Sequence, residues 1–224
     1  MERRRLLQAG AAGAAVGLAG CAGVMSGGNP NVTLGEPDGP AADADFPYPT
    51  WGERMPDVSF RDPIADASVN LRAVDRPTFV TFFFTHCQTT CPVLVGALRN
   101  VQTDALNEGY ADEVGFLPVS FDPERDDAER FRAYAGETNV SLDRGHWRFL
   151  RPESVAAGKR EINGEFGIGF EKTQTEDGDG YMYNHLALIL LANGEGYVER
   201  AYTGPNPDPS TLIDDLRAAR QARE

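Results

Sequence analysis

Unbroken apolar runs alternate along this chain with segments in which apolar residues recur at helical spacing. Residues 78–84 are apolar on both faces, as in a strand that is covered on two sides. Residues 114–121 and 186–191 form two further apolar runs of strand length. Between the first two runs, residues 92–106 carry large apolar side chains at the spacing of a helix. The pattern therefore predicts buried strands that alternate with helices.

Weaker patterns complete this outline. The remaining predicted elements are short strands or a hairpin within 57–71, helices at 126–134, 155–166 and 211–220, a short strand at 147–150, an acidic Gly-rich loop at 171–180, and a strand at 197–202 that a turn at 193–196 joins to the apolar run before it. Alternating strands and helices followed by a β-hairpin predict an α/β fold with a mixed central sheet and helices on both faces. This is the thioredoxin-like arrangement, in which a cysteine motif follows the first long strand, as it does here.

The first fifty residues differ from the rest in composition. The arginines at 3–5 precede two leucines and a short, weakly apolar run, which resembles a twin-arginine export signal. That run ends in Leu-Ala-Gly-Cys at Cys21, similar to a lipobox whose cysteine carries the lipid anchor. We therefore predict an export signal with lipobox at 1–21, a flexible tether at 22–50 and a folded domain at 51–224. The protein is then expected on the extracytoplasmic face of the cell membrane, held there by lipid.

The charge balance narrows the classes of partner. The chain has 34 Asp and Glu against 21 Lys and Arg, a formal net charge of −13. A surface this acidic argues against nucleic acid, because binding to phosphates needs clustered cations. It favours solubility in a salty medium over a dedicated surface for cationic partners.

Two cysteines remain once Cys21 is assigned to the lipid, and export places them in a compartment that tolerates disulfides. Cys87 and Cys91 lie where the first buried strand gives way to a helix. Pro92 favours the first helical position, which predicts Cys91 as the residue that caps the helix. The positive end of a helix favours the thiolate, the form that binds soft metals and also attacks disulfides. Copper binding and disulfide exchange therefore both remain open.

A late histidine offers a third donor. Thioredoxin-like oxidoreductases place a cis-proline ahead of the later central strand, but residues 181–186 contain no proline and instead contain His185. Two thiolates and one imidazole suit Cu(I) and Cu(II), whereas zinc is expected to recruit a fourth ligand. His86 adjoins Cys87 and would strain to reach the same metal, and His146 is expected at the surface.

Several segments together resemble the Sco (SenC-type) copper-binding assembly proteins. These are Phe-Thr-His-Cys at 84–87, Cys-Pro at 91–92, Val-Ser-Phe-Asp-Pro-Glu-Arg-Asp at 119–126, Gly-His-Trp at 145–147, and His185 ahead of an apolar strand. The resemblance covers about 51–204 in the family's order. It implies a membrane-tethered, thioredoxin-like domain that binds copper through Cys87, Cys91 and His185.

The resemblance also implies a function and partners. Family members serve in the assembly of the dinuclear copper centre of cytochrome c oxidase, so we expect a copper metallochaperone. Its expected partners are the copper-bearing oxidase subunit and another copper chaperone or thiol reductant. The alternative is a thiol–disulfide oxidoreductase in which Cys87 and Cys91 form the redox pair that keeps partner cysteines reduced. Peroxidase activity is disfavoured, because Phe84 stands where peroxiredoxin-like sites have threonine.

Two polar residues are expected to act through their contacts with the ligands. Asp122 ends the second strand, where loops of α/β sheets gather around ligands. It is equally well explained as a turn former ahead of Pro123. Asn184 stands where the family often has aspartate, so a carboxylate that could orient a ligand is missing.

Overall fold

A four-stranded mixed sheet forms the centre of the molecule, with strands in the order β4-β3-β7-β8. The computed structural model describes residues 29–37, 46–144, 146–175 and 180–221. In chain order the elements are β1 Ser59–Asp62, β2 Ala67–Asn70, β3 Thr78–Phe83, α1 Thr90–Glu108, a 3₁₀ turn Ala111–Glu113, β4 Gly115–Ser120, α2 Ala128–Thr138, α3 Val155–Gly158, a π-helical turn Lys159–Asn163, α4 Gly164–Phe166, β5 Phe170–Gln174, β6 Tyr181–His185, β7 Leu188–Ala192, β8 Val198–Thr203 and α5 Pro209–Gln221. The described elements confirm the predicted mixture of helices with a mixed sheet.

The strand β3 is the middle of this sheet. All six of its residues are buried. It pairs in parallel with β4, Thr78 opposite Gly115, and antiparallel with β7, Thr78 opposite Ala192. A strand with neighbours on both edges and cover on both faces needs apolar side chains throughout. This explains why the run at 78–84 shows no alternation.

The early strands and the last hairpin form as predicted. Strands β1 and β2 pair as an antiparallel hairpin, with Phe60 opposite Val69. Strands β7 and β8 pair antiparallel around the turn at 193–196, where Gly196 has a φ of 79°. A side chain there would meet the backbone oxygen of Arg72 at 2.5 Å, so this turn requires glycine.

Three local predictions were wrong. Helix α1 begins at Thr90 with Thr89 as its cap, so Cys91 lies inside the first turn. Pro92 is tolerated there because the first-turn N–H groups have no intrahelical partner to lose. Residues 170–174 form a strand instead of the expected acidic loop, since pairing with β6 overrides their polar, mostly exposed sequence. The expected strand at 147–150 is reduced to two isolated bridges to β4.

Part of the segment predicted as a tether packs against the domain. Leu34 and Tyr48 are buried in the hydrophobic core. The fully buried carboxylate of Glu199 accepts hydrogen bonds from the backbone N–H groups of Thr33 and Leu34, at 3.0 and 2.8 Å. Residues 29–37 are therefore held to β8. The export signal and Cys21 lie outside the described residues.

Among the helices that the structure describes, none combines the length and the apolar composition needed to span a bilayer.

The contacts of Glu199 predict that it stabilises the fold. In Glu199→Gln an amide NH₂ would face backbone N–H groups and the side-chain amide of Asn193, which now donates at 2.8 Å. We expect the free energy of unfolding to fall by about 2 kcal/mol, because buried donors would lose an ionised acceptor. Urea denaturation measures this change. Glu195→Gln, at an exposed position on the adjacent turn, is the control and should unfold as wild type does. Equal midpoints for both variants would contradict the role of Glu199.

Candidate metal and redox site

The pairing of β3 brings three separate segments to one edge of the sheet. Strands β3 and β4 are parallel, so the loops that follow them, with Cys87 and Asp122, leave the sheet on the same side. Strand β7 runs antiparallel to β3, so its beginning lies at that same edge. His185, three residues before β7, therefore arrives beside the cysteine loop although it is 94 residues beyond Cys91.

The Cys87 sulfur lies at the N-terminus of α1. It accepts the backbone N–H of Cys91 at 3.4 Å and lies 3.6 Å from the hydroxyl oxygen of Thr89. The cap residue Thr89 makes no side-chain capping hydrogen bond. A sulfur thus satisfies a first-turn N–H that an ordinary cap would take. The prediction that the helix start faces a cysteine sulfur is confirmed for Cys87.

Cys91 and His185 face each other. The Sγ atom of Cys91, which is fully buried, lies 3.6 Å from Nε2 of His185. The other ring nitrogen, Nδ1, lies 2.9 Å from the carbonyl oxygen of Leu186. A carbonyl only accepts, so Nδ1 carries the proton of the neutral ring and the lone pair of Nε2 faces the sulfur. This is the tautomer that a metal-binding histidine needs.

The two thiols differ in acidity. Hydrogen bonds from the Cys91 side chain, and then from the backbone N–H groups of Cys91 and Thr89, hold the pKa of Cys87 far below its usual value. The hydrogen bond to Cys87 and burial raise the pKa of Cys91. Burial also lowers the pKa of His185, which keeps the ring neutral. The reduced site therefore holds one thiolate, one thiol and one neutral imidazole at neutral pH.

His185 belongs to the β5–β6 hairpin, a two-stranded sheet separate from the central one. Its ring packs edge-on against Phe121, with ring centroids 4.7 Å apart. The hairpin is also bound through Tyr181, whose hydroxyl donates to Asp122 at 2.9 Å. Asp122 is fully buried and also accepts from Nε of Arg125. Asp122 therefore binds the β5–β6 hairpin through Tyr181. Tyr181 and Arg125 were not predicted as site residues, because the sequence showed only that they lie in segments with recognisable motifs.

A second group of possible metal-binding atoms lies nearby. His86, Asp122 and Asp126 offer ligand atoms within 4.8 Å of one another. The oxygens of Asp126 already accept from Ser120 and from the hydroxyl and backbone N–H of Thr85. Since Asp122 is likewise bound by protein donors, the group is a hydrogen-bonded network that ties β4 to the cysteine loop. His86 is exposed and joins it through Thr85, at 3.1 Å.

The remaining candidate residues lie apart from the ligands. Asn184 is exposed and is the neighbour of His185 in β6, so its side chain leaves the opposite face of the strand. His146 is exposed, as predicted, and pairs through its carbonyl with Phe116 at the other end of the sheet.

The donor set fits copper in chemistry and in part in geometry. A sulfur and a nitrogen that share one tetrahedral metal at ordinary bond lengths are separated by about 3.6 Å, the spacing found between Cys91 and His185. The three donor atoms of Cys87, Cys91 and His185 do not all lie within 4.8 Å of one another. Binding through all three therefore requires a small movement of Cys87 or of the hairpin.

Comparison with known proteins decides the family. The sequence pattern described as SCO1/SenC matches residues 67–221, which is more than two thirds of the chain. The chain belongs to the SCO1/SenC family. The SCO1 protein homolog of Bacillus subtilis is 26% identical over 139 residues, 62% of this chain and 68% of that protein. The mitochondrial SCO1 homolog 1 of Arabidopsis thaliana is 28% identical over 148 residues, which are 66% of this chain but only 41% of that protein.

Solved structures of family members share the fold. A SCO1/SenC family lipoprotein from Bacillus anthracis superposes with a TM-score of 0.62 at 21% identity, over 76% of this chain and 96% of that one. The structure of Arabidopsis thaliana ScoI with copper bound has a TM-score of 0.60 at 26% identity, over 75% and 98%. The predicted thioredoxin-like fold, with a mixed sheet and helices on both faces, is confirmed.

The different acidities of the thiols predict selective alkylation. In reduced protein carrying Cys21→Ser, we expect iodoacetamide to label Cys87 rapidly even at pH 6, where an ordinary thiol is less than about 1% thiolate. A lowered pKa keeps the thiolate present until the pH falls through that value, so the rate should decline only in more acidic buffer. Mass spectrometry of peptides at each pH measures the rate.

The variant Cys91→Ala tests the cause of this acidity. It removes the side chain that donates to the Cys87 sulfur, so the pH midpoint of labelling should rise. In Cys87→Ser the reporter is Cys91, whose complete burial should keep its labelling slow. A wild-type midpoint near 8.5 would contradict the assignment.

Proposed function

We propose that this chain binds one copper ion through Cys87, Cys91 and His185 and delivers it during assembly of the dinuclear copper centre of cytochrome c oxidase. The single observation that carries the proposal is the His185 ring. Its proton is on Nδ1 and its Nε2 lies 3.6 Å from the Cys91 sulfur. This arrangement places an unprotonated ring nitrogen beside a buried thiol, as two ligands of one metal would require.

Family members support the choice of metal and pathway. The structures of ScoI from Arabidopsis thaliana and from Bradyrhizobium japonicum contain bound copper. The Bacillus protein BsSco is described as a member of the Sco family of cytochrome c oxidase assembly proteins. Soft thiolates with one imidazole suit Cu(I) and Cu(II), which agrees with copper as the cargo of this chain.

The three proposed ligands have different roles in the binding and release of copper. Cys87 supplies a ready thiolate at the helix N-terminus, and His185 supplies a neutral nitrogen. Cys91 must lose its proton as it becomes a ligand. Of the two cysteine residues, Cys87 is 7% exposed and Cys91 is fully buried, so Cys87 is the more accessible to ligands of an acceptor protein.

Disulfide reduction is the second candidate, favoured by the low pKa of Cys87 beside a protonated Cys91. The Cys87 thiolate would attack a partner disulfide and release one partner thiolate. Cys91, after losing its proton, would attack the mixed disulfide and release the second. The partner disulfide is reduced to two thiols, and the Cys87–Cys91 pair is oxidised to a disulfide.

For location we propose attachment of lipid at Cys21 after twin-arginine export, with the domain on the extracytoplasmic side. The support is the segment at 1–21 and the description of the Bacillus anthracis relative as a lipoprotein.

Copper loading tests the ligand assignment. Full-length protein with Cys21→Ser should retain one copper per chain and, with Cu(II), show a thiolate-to-copper charge-transfer band. The band should disappear in Cys87→Ser, and in His185→Ala it should shift because a nitrogen donor is lost. Metal analysis and absorption spectroscopy measure both quantities. Copper retention and a spectrum unchanged by His185→Ala would contradict the assignment.

The same His185→Ala protein separates the two candidate functions. The bonds formed and broken in disulfide exchange involve only sulfurs, so most of the variant's activity on a model disulfide should survive while copper delivery collapses. If wild-type protein retains no copper but reduces disulfides readily, the chain is a thiol oxidoreductase.

The acceptor is proposed to dock on an apolar rim around the site. Among the described residues the strongly exposed large hydrophobic side chains are Val93 and Leu186, at 41% and 39%. Val93 lies two positions after Cys91, and Leu186 directly follows His185. Exposed apolar side chains beside a site mark the place where a partner would exclude water.

If the acceptor docks on this rim, substitutions in the rim should slow copper transfer without changing copper binding. Val93→Asp and Leu186→Asp should each slow copper transfer to the soluble copper-bearing domain of the oxidase subunit by about 10-fold, the size of a hot-spot loss of about 1.4 kcal/mol. Copper affinity should stay unchanged. Ala73→Asp, at an exposed position near the opposite end of β3, is the matched control. Equal transfer rates for all three variants would refute the docking surface.

A further inference from the structure

The third donor of the site is carried by a strand that is not part of the central sheet. His185 ends β6, and β6 pairs only with β5 among the described strands. No backbone ladder therefore fixes the distance from its Nε2 to the cysteines. The short link to β7 brings His185 to the edge that holds the cysteines, and the side chains that bind the β5–β6 hairpin to the rest of the domain restrict the movement that remains.

One face of β6 supplies these side chains. Tyr181, Tyr183 and His185 alternate along the strand and so share a face. Tyr183 packs edge-on against Phe84 and Phe121, with centroids 5.2 and 5.1 Å apart. These aromatic contacts hold the hairpin against the domain, but neither of them is a hydrogen bond or an ion pair.

Tyr181 supplies the directional contacts. Its hydroxyl donates to the buried carboxylate of Asp122 at 2.9 Å, and its carbonyl oxygen accepts from Nη2 of Arg125 at 3.3 Å. The guanidinium carbon of Arg125 also lies 3.5 Å from the centroid of the Tyr181 ring. Both partners belong to the loop after β4, which the central sheet fixes in place. Tyr181 thus joins the hairpin to that loop through its hydroxyl, its backbone carbonyl and its ring.

A cation from the hairpin itself completes the contact. Nζ of Lys172, in β5, lies 3.5 Å from the same ring centroid and 3.2 Å from a carboxylate oxygen of Glu124. The chain contains only two lysines, Lys159 and Lys172. Both strands of the hairpin therefore meet the loop after β4 at the Tyr181 ring, where the cations are attracted to its face.

We propose that Tyr181 is the positioning residue that sets His185 against the cysteines, acting through Asp122 and Arg125 rather than by touching the metal. The inference rests on the proposed copper function. Tyr181 and His185 are four residues apart in one strand, so a shift of Tyr181 along the loop moves the imidazole by the same step. Asp122, in this view, tunes the site by anchoring the hairpin and not by contacting a ligand.

Two substitutions separate the contributions of the ring and of the hydroxyl. Tyr181→Phe removes only the hydrogen bond to Asp122, and Tyr181→Leu removes the cation–ring contacts as well. The matched control is Tyr202→Phe, which removes a hydrogen bond of 2.8 Å to Asp215, between β8 and α5 and outside the β5–β6 hairpin. All variants are made in the full-length chain with Cys21→Ser.

The measurements are copper affinity, the charge-transfer spectrum of the Cu(II) form, and hydrogen exchange of the copper-free protein. We expect Tyr181→Leu to weaken copper binding by about 10-fold, as loss of a partner that orients a ligand commonly does. Its charge-transfer band should move toward that of His185→Ala, and amides of 181–185 should exchange faster without copper. Tyr181→Phe should show smaller changes in the same direction, and Tyr202→Phe none of them.

The outcomes distinguish this inference from the proposed function. If wild-type protein binds copper and Tyr181→Leu matches it in affinity and spectrum, Tyr181 does not position His185 and the copper function stands. If wild-type protein binds no copper, the proposed function fails, and faster exchange of 181–185 in the copper-free variant still decides whether Tyr181 holds the hairpin. Spectral changes of equal size in Tyr202→Phe would show a general loss of stability and overturn the inference.

Discussion

The pairing of β3 with a parallel neighbour on one edge and an antiparallel neighbour on the other is the constraint on which the site depends. The parallel partner β4 sends its following loop, with Asp122, to the edge where Cys87 leaves β3. The antiparallel partner β7 begins at that edge, and so brings His185 there. The burial of every residue of β3 is what makes this arrangement stable. The chemistry is thus gathered by a strand that contributes no functional side chain.

Within this frame the site combines fixed and adjustable donors. The cysteines are held by a strand end and by the first turn of α1, where a backbone N–H already binds the Cys87 sulfur. The histidine is held by a separate hairpin through aromatic packing and the contacts of Tyr181. A protein that must bind a metal and also release it benefits from one donor whose support is weaker than the main sheet. Because the hairpin is separate from the central sheet, His185 is the donor with this weaker support.

The sequence predicted the elements of the core but not their boundaries or their side-chain contacts. Apolar runs identified β3, β4 and β7, because burial on both faces leaves a continuous signal. The strand β5 was missed, since four of its five residues are exposed and its pairing is set by β6 alone. His185 was identified as a candidate from a missing proline and a family resemblance. Its ring tautomer and the role of Tyr181 depend on contacts between distant segments, which no local pattern encodes.

The asymmetry of the two sulfurs links copper binding to disulfide chemistry. A pair with one thiolate and one buried thiol can begin nucleophilic attack from Cys87 alone, and it can also begin metal binding there. Both processes then require Cys91 to lose its proton, which its raised pKa opposes. Copper binding and disulfide exchange differ in the role of the third residue, His185. In the proposed site His185 supplies a nitrogen donor to the metal, whereas the sulfur–sulfur bonds of disulfide exchange form without it. Under the proposed function, the hairpin that carries His185 is therefore the element that distinguishes copper binding from disulfide formation.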